Sequence, residues 1–105
     1  MEIVNDNHIN ISNDKEYLNL LYFTATWCGP CQKIKPMIQK IAERIETKIK
    51  VFMIDIDENE EIAEQFKIRS VPTFILLREN KKLGECSGAN IINVHKLLKE
   101  NLIQK

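Results

Sequence analysis

At 105 residues the chain has the length of one domain, 1–105, large enough to bury a single core without metal or disulfide staples. Apolar residues at 44% and charged residues at 29% describe an ordinary globular composition, and 15 Lys and Arg against 15 Asp and Glu give a formal charge of zero. That balance implies no nucleic-acid or anionic-membrane footprint, and no stretch approaches the ~20 apolar residues that span a bilayer. Three cysteines are too few for a disulfide-built scaffold and leave at least one thiol unpaired, which suits a reducing compartment. Met1-Glu2-Ile3-Val4-Asn5-Asp6 has neither the basic nor the long apolar region of a secretory signal, so the cytoplasm is the expected location.

In chain order, residues 1–19 give the weakest pattern. Either Ile3-Val4 or Ile9-Asn10-Ile11 offers a first strand, and a helix could begin from an Asn13 or Asp14 cap. Residues 20–25 form a short apolar run that reads as a buried strand. A helix over about 31–44 follows, with Ile34, Met37, Ile38, Ile41, Ala42 and Ile45 recurring on one face. Pro36 lies inside it, where proline removes a backbone hydrogen bond at a cost of roughly 3 kcal/mol, so it marks either a kink or a junction of two shorter helices.

Residues 50–57 are apolar on both faces, as a central strand covered on either side would be. Asp57 with Glu60 resembles a capping box opening a short helix that carries Ile62, Ala63 and Phe66 inward and ends near Lys67. Val71-Pro72 leads into a buried strand over 73–77, and proline before a strand forfeits no central ladder bond. Glu79-Asn80-Lys81-Lys82 reads as a hairpin turn with Asn80 at positive φ. Residues 83–87 return antiparallel, Gly88 breaks the strand, and Asn90 caps a last helix with Ile91, Val94, Leu97, Leu98 and Leu102 inward. The order is βαβαββα after a poorly defined start: an α/β chain with helices on both faces of a mixed sheet.

The chemistry concentrates in Trp27-Cys28-Gly29-Pro30-Cys31, where the strand hands over to the helix. Two thiols at this spacing either close a small disulfide ring or stay separate, which makes them a two-electron switch. A lone CxxC is also half of a zinc site. Here no second CxxC, CxxH or HxxxH follows, and Cys86, His8 and His95 are remote in sequence, so no metal site is expected. At a helix N-terminus, backbone N–H groups lack intrahelical partners and the macrodipole is positive, so a Cys28 thiolate gains hydrogen bonds and field. Pro30 in the first turn presets the helical φ, and Gly29 leaves the sulfur uncovered.

Through these residues the chain resembles the thioredoxin family. WCGPC between strand and helix carries the likeness, and Pro36, Val71-Pro72-Thr73 and Gly88-Ala89 extend it across nearly the whole sequence. The resemblance implies a thioredoxin fold, with a mixed sheet of four to five strands between helices and a first helix that the short span before residue 20 must leave abbreviated or absent. It implies a disulfide reductase in which Cys28 attacks, Cys31 resolves and no cofactor is needed beyond the pair. Trp27 would flank the sulfurs or serve only as a core aromatic. Pro72, if cis, would present Val71 to an extended substrate, with Ile56, Arg69, Ser70, Gly88 and Ala89 lining the groove or merely packing their loops. Disulfide-bearing target proteins and an upstream reductase are the implied partners of a monomer.

Two positions depart from that pattern. Many family members place a buried aspartate and a facing lysine where this chain has Tyr22 and Met53. The joint loss is coherent, because a lone buried lysine would be costly. Tyr22 cannot act as a carboxylate near neutrality, with an unperturbed pKa of about 10, although its hydroxyl could bond near Cys31. The Tyr22 segment is also similar to that of tryparedoxins and nucleoredoxins. An alternative of a different kind is a redox-indifferent binding subunit on the same fold. Cys86 reads as a small strand residue or a site of regulatory oxidation, and His8 and His95 have no assigned role.

Overall fold

A computed structural model describes residues 1–102. In chain order the elements are β1 (Glu2–Ile3), β2 (Leu18–Thr24), α1 (Gly29–Glu43), a short 3-10 turn (Ile45–Thr47), β3 (Ile49–Asp55), α2 (Glu60–Gln65), β4 (Thr73–Arg78), β5 (Lys81–Ser87) and α3 (Ile91–Asn101). The five strands form one mixed sheet in the order β1-β3-β2-β4-β5. β1, β3 and β2 run parallel, whereas β4 is antiparallel to β2 and β5 to β4.

Every residue of β2 is buried, because period-2 alternation sends its side chains into two separate cores. Leu18, Leu20 and Tyr22 point to the face covered by Ile34, Ile38 and Ile41 of α1 and by Val94 and Leu98 of α3. Leu21 and Phe23 point to the other face, with Ile62 of α2 and the flanking Ile9 and Ile11. α1 continues through Pro36 as one helix of 15 residues, which decides against two shorter ones. Met37 lies at the edge of its apolar stripe and is exposed, against expectation. Leu102 is likewise exposed, since α3 ends one residue before it.

No helix forms between β1 and β2. The segment folds instead as a tight turn at Asp6 and Asn7, both at positive φ, followed by extended chain and a turn in which Tyr17 N donates to Asp14 O at 3.0 Å. Glu2–Ile3 is the first strand, and Ile9 and Ile11 are loop residues packed under the sheet. β2 begins at Leu18, two residues ahead of the apolar run, because Asn19 is fully buried and satisfied: Ser12 N donates to its Oδ1 at 3.0 Å and its Nδ2 donates to Ser12 O at 3.2 Å.

The capping box at Asp57 does not form. α2 opens after Asn59, whose own side chain makes no cap bond to the helix. Ile62 N donates instead to Oδ1 of Asn7 at 3.1 Å, so the cap comes from a residue remote in sequence. The hairpin also differs from expectation. Strand pairing reaches Arg78 and Lys81, leaving a two-residue loop in which Glu79, at φ 56, takes the left-handed conformation instead of Asn80. Asn90 caps α3 as expected, its Oδ1 accepting from Ile92 N at 3.0 Å.

Candidate active site

α1 starts two residues earlier than the apolar periodicity indicates, because Gly29 and Pro30 are already helical and Cys28 is the N-cap. The side chain of Cys28 does the capping itself: its Sγ accepts from Cys31 N at 3.2 Å. A cysteine therefore takes the place usually held by Ser, Thr, Asp or Asn, and a thiolate there would accept the same donor more strongly. Cys28 and Cys31 are joined as a disulfide, with Cα atoms 5.3 Å apart. Cys28 retains 6% exposure and Cys31 none, so the two sulfurs differ in reach. A Cβ on Gly29 would meet nothing within 4 Å, so the missing side chain keeps the surface beside the sulfur clear.

The strap opposite is built from 70–73. The Val71–Pro72 bond is cis, Pro72 is buried, and Val71 O lies 3.7 Å from Cys28 Sγ. In the disulfide that sulfur has no proton to give, so the approach is a contact that becomes an S–H···O bond only in the dithiol. Thr73 Oγ1 donates to Ser70 O at 2.7 Å and Gly88 N to Pro72 O at 2.8 Å, which fixes both ends of the strap. Gly88 is at φ 92, a conformation that a side chain would strain. Val71 and Ile56 are half-buried and pack on Ala25, Cys28 and Cys31. Of the expected groove, the structure thus brings Ile56, Val71, Pro72 and, through Pro72, Gly88 to the sulfurs. Arg69, Ser70 and Ala89 are exposed beside them in the chain.

Trp27 is 68% exposed and no core aromatic. Its Nε1 donates to Asp57 Oδ2 at 2.8 Å, an anchor that the sequence reading missed by assigning Asp57 to a cap. Gln32 also went unnoticed: its Nε2 donates to Ala25 O at 2.9 Å, tying α1 back to the loop that carries the motif. No pattern in the sequence marks either pair, since both join residues whose spacing belongs to no local motif.

Beneath the disulfide lies Tyr22, fully buried and stacked on Phe74 with ring centroids 5.3 Å apart. Its hydroxyl donates to Cys31 O at 2.6 Å, so it meets the backbone of the second cysteine and not the sulfur. Burial pushes the phenol up, with the neighbouring Thr24 hydroxyl acting the other way. Met53 is its register partner on β3. Cys86 is a half-buried free thiol opposite Phe74, pushed up first by burial and second by Glu85. A buried thiol held protonated is a poor nucleophile. Among the described residues, no three His, Cys, Asp or Glu side chains cluster as a metal would need.

A reversible disulfide at a helix N-terminus, one sulfur reachable and the other enclosed, trades its bond for that of another disulfide. That is the site of a thiol–disulfide oxidoreductase. The family model described as Thioredoxin matches residues 1–100, and the chain belongs to the thioredoxin family. It is 40% identical over 87 residues to Thioredoxin-1 of Drosophila melanogaster, covering 83% of this chain and 81% of the relative. Among solved structures, the germline-specific thioredoxin Deadhead of the same fly superposes with a TM-score of 0.78 at 36% identity, covering 83% of each chain. A chain from work on thiol resolution in a yeast mitochondrial 1-Cys peroxiredoxin via glutathione/thioredoxin systems superposes at 0.75 with 28% identity, covering 82% of this chain and 80% of that one. The protein is therefore a protein-disulfide oxidoreductase with a thioredoxin fold.

Proposed function

We propose that Cys28 is the attacking and Cys31 the resolving sulfur in the reduction of target-protein disulfides. The Cys28 thiolate attacks one sulfur of the target bond, which breaks; the other target sulfur leaves with the electron pair and takes up a proton. Cys31 then gives up its proton, attacks Cys28 and expels the second target thiolate, so two electrons pass to the target and the Cys28–Cys31 disulfide forms. Resolution is intramolecular, which keeps the mixed disulfide short-lived. The observation that carries this assignment is the N-cap geometry: the sulfur that retains exposure is also the one that receives the Cys31 N–H.

The target segment lies along Val71, Pro72 and Ile56, with Arg69, Ser70, Gly88 and Ala89 at the borders of the groove and Trp27 and Gly29-Pro30 shaping the approach. The likeness to a chain studied with a peroxiredoxin supports protein disulfides as substrates. An upstream reductase, by family analogy a thioredoxin reductase, returns the electrons, and the chain works as a cytoplasmic monomer with no cofactor beyond the cysteine pair. Among the described residues no helix is long and apolar enough to cross a membrane.

Insulin reduction by dithiothreitol, followed as turbidity, tests the reading. The wild-type chain accelerates it and Cys28→Ser does not. Equal rates would remove the catalytic role of Cys28 and favour a redox-indifferent binding subunit. A Cys31→Ser variant accumulates mixed disulfides with target proteins, whereas Cys28→Ser does not.

A further inference from the structure

We infer that Gln32 is a positioning residue for the resolving step: its side-chain amide holds the turn that carries Cys28 against the start of α1, so that Cys31 stays within reach of Cys28 once the disulfide is open. The inference rests on the attack-and-resolve order of the proposed function and gives a part in it to a residue outside the cysteine motif.

The local chain builds this contact. β2 ends at Thr24, and residues 25–28 make a turn closed by Cys28 N donating to Ala25 O at 3.2 Å. α1 starts at Gly29, and Gln32 N donates to Cys28 O at 3.2 Å. A helical side chain leans toward the helix N-terminus, so Gln32, directly after the motif, folds back over it. Its Nε2 donates to Ala25 O at 2.9 Å. Ala25 is fully buried, and its carbonyl, with two lone pairs, takes both donors.

The bond from residue 32 to residue 25 therefore encloses both cysteines. The Cys28–Cys31 disulfide joins the same two pieces, turn and helix start, by a covalent route. In the mixed disulfide Cys28 is bonded to the target and that route is gone. The Trp27 indole ties the turn to Asp57 and not to α1. Among the described residues, the Gln32 amide is the side-chain hydrogen bond that joins residues 25–27 to α1. Cys31 must now give its proton to solvent and attack the Cys28 sulfur. The bond from Cys28 to the target breaks, and the target sulfur leaves with the electron pair. The rate of that attack depends on how well the two pieces are held together.

The same contact bears on the equilibrium. A hydrogen bond and a disulfide that need one arrangement of the chain favour each other, and the coupling is reciprocal. Removing the amide weakens the disulfide relative to the dithiol. Gln32 is exposed and neutral, so methionine, similar in length and also neutral, removes the donor without opening the core or adding a charge near Cys28.

The test compares Gln32→Met with its parent, both in a Cys86→Ser background so that the motif thiols alone react. Mixed with an equivalent of dithiobis-nitrobenzoate, the dithiol protein releases a first thionitrobenzoate when Cys28 attacks and a second when Cys31 resolves. Gln32→Met keeps the rate of the first release and slows the second by about two- to fivefold, the worth of one modest hydrogen bond. In a dithiothreitol redox buffer its equilibrium moves toward the dithiol by a similar factor, and Gln32→Ala behaves alike. An unchanged second release and an unmoved equilibrium, with urea stability lowered equally in both redox forms, would overturn the inference. Gln32 would then be a contact of the helix end only, and the proposed function would stand. A parent protein that released no second thionitrobenzoate would instead remove the proposed function, and this inference with it.

Discussion

A buried phenol under the second cysteine works differently from a buried carboxylate. It stays neutral through the physiological range, so it brings no charge under the disulfide and no titration near pH 7. What it supplies is a donor to Cys31 O and a ring stacked on Phe74. Replacing Tyr22 by Phe keeps the stack and removes the donor, which should lower the urea-unfolding stability of the disulfide form by about 1 kcal/mol at neutral pH. The alkaline limb gives a second check. The unfolded chain releases this proton near the ordinary value of 10.0 while the folded chain holds it longer, so above that pH the native state binds more protons and stability falls as pH rises. Tyr22→Phe should flatten this decline. Cys86 adds a decline of the same sign beginning near 9.0 in both proteins, and Cys28 and Cys31 do not titrate as a disulfide, so the comparison isolates the phenol. An equally steep limb in the Phe variant would refute the assignment.

Which site residues could be read in advance follows the same division. Cys28, Cys31, Pro30 and Pro72 are legible because their chemistry is local: spacing, helix start, strand entry. Asp57 and Gln32 act through partners that the chain meets only after folding, and an acidic run around Asp57 looks like a solvated helix start until Trp27 is seen to reach it.

At the level of elements, α2 shows how a chain with three glycines ends its helices. Lys67 N donates to Glu64 O at 3.0 Å and Ile68 N to Ala63 O at 2.9 Å, the paired bonds of a Schellman close, with Lys67 at φ 55 where glycine is the common residue. The left-handed conformation costs a non-glycine residue about 1–2 kcal/mol, partly offset by the greater unfolded-state freedom of glycine. Lys67→Gly should therefore stabilise the fold by about 0.5–1 kcal/mol in urea or thermal unfolding, whereas Lys67→Ala should not. A gain as large from alanine would mean that lost lysine contacts, and not backbone conformation, carry the effect. β3 and β4 were plain in the sequence because burial on both faces leaves apolar runs. β2 lost its first two residues to the reading because Asn19 interrupts such a run. The start of α2 was misplaced because its cap arrives from Asn7, which no window around residue 60 contains.

Across the whole molecule, the segment between β1 and β2 covers one sheet face without a helix, and two buried asparagines hold it there. Asn19 grips Ser12 from within β2. Asn59 joins three parts of the chain: its Nδ2 donates to Val4 O and to Asp55 O, each at 3.1 Å, and its Oδ1 accepts from Asn7 N at 2.9 Å. Asn7 in turn caps α2, so β1, the end of β3 and α2 share one polar joint. Asn59→Ala strands those backbone groups and should lower global stability by about 2–3 kcal/mol. Hydrogen exchange should show the loss of protection concentrated in residues 1–17 and α2. The disulfide equilibrium should hold, because neither sulfur nor the cis-proline strap touches Asn59. A shifted equilibrium would mean that the joint and the site are coupled through β3, and a loss spread evenly over the sheet would mean that Asn59 supports the core as a whole and not this segment.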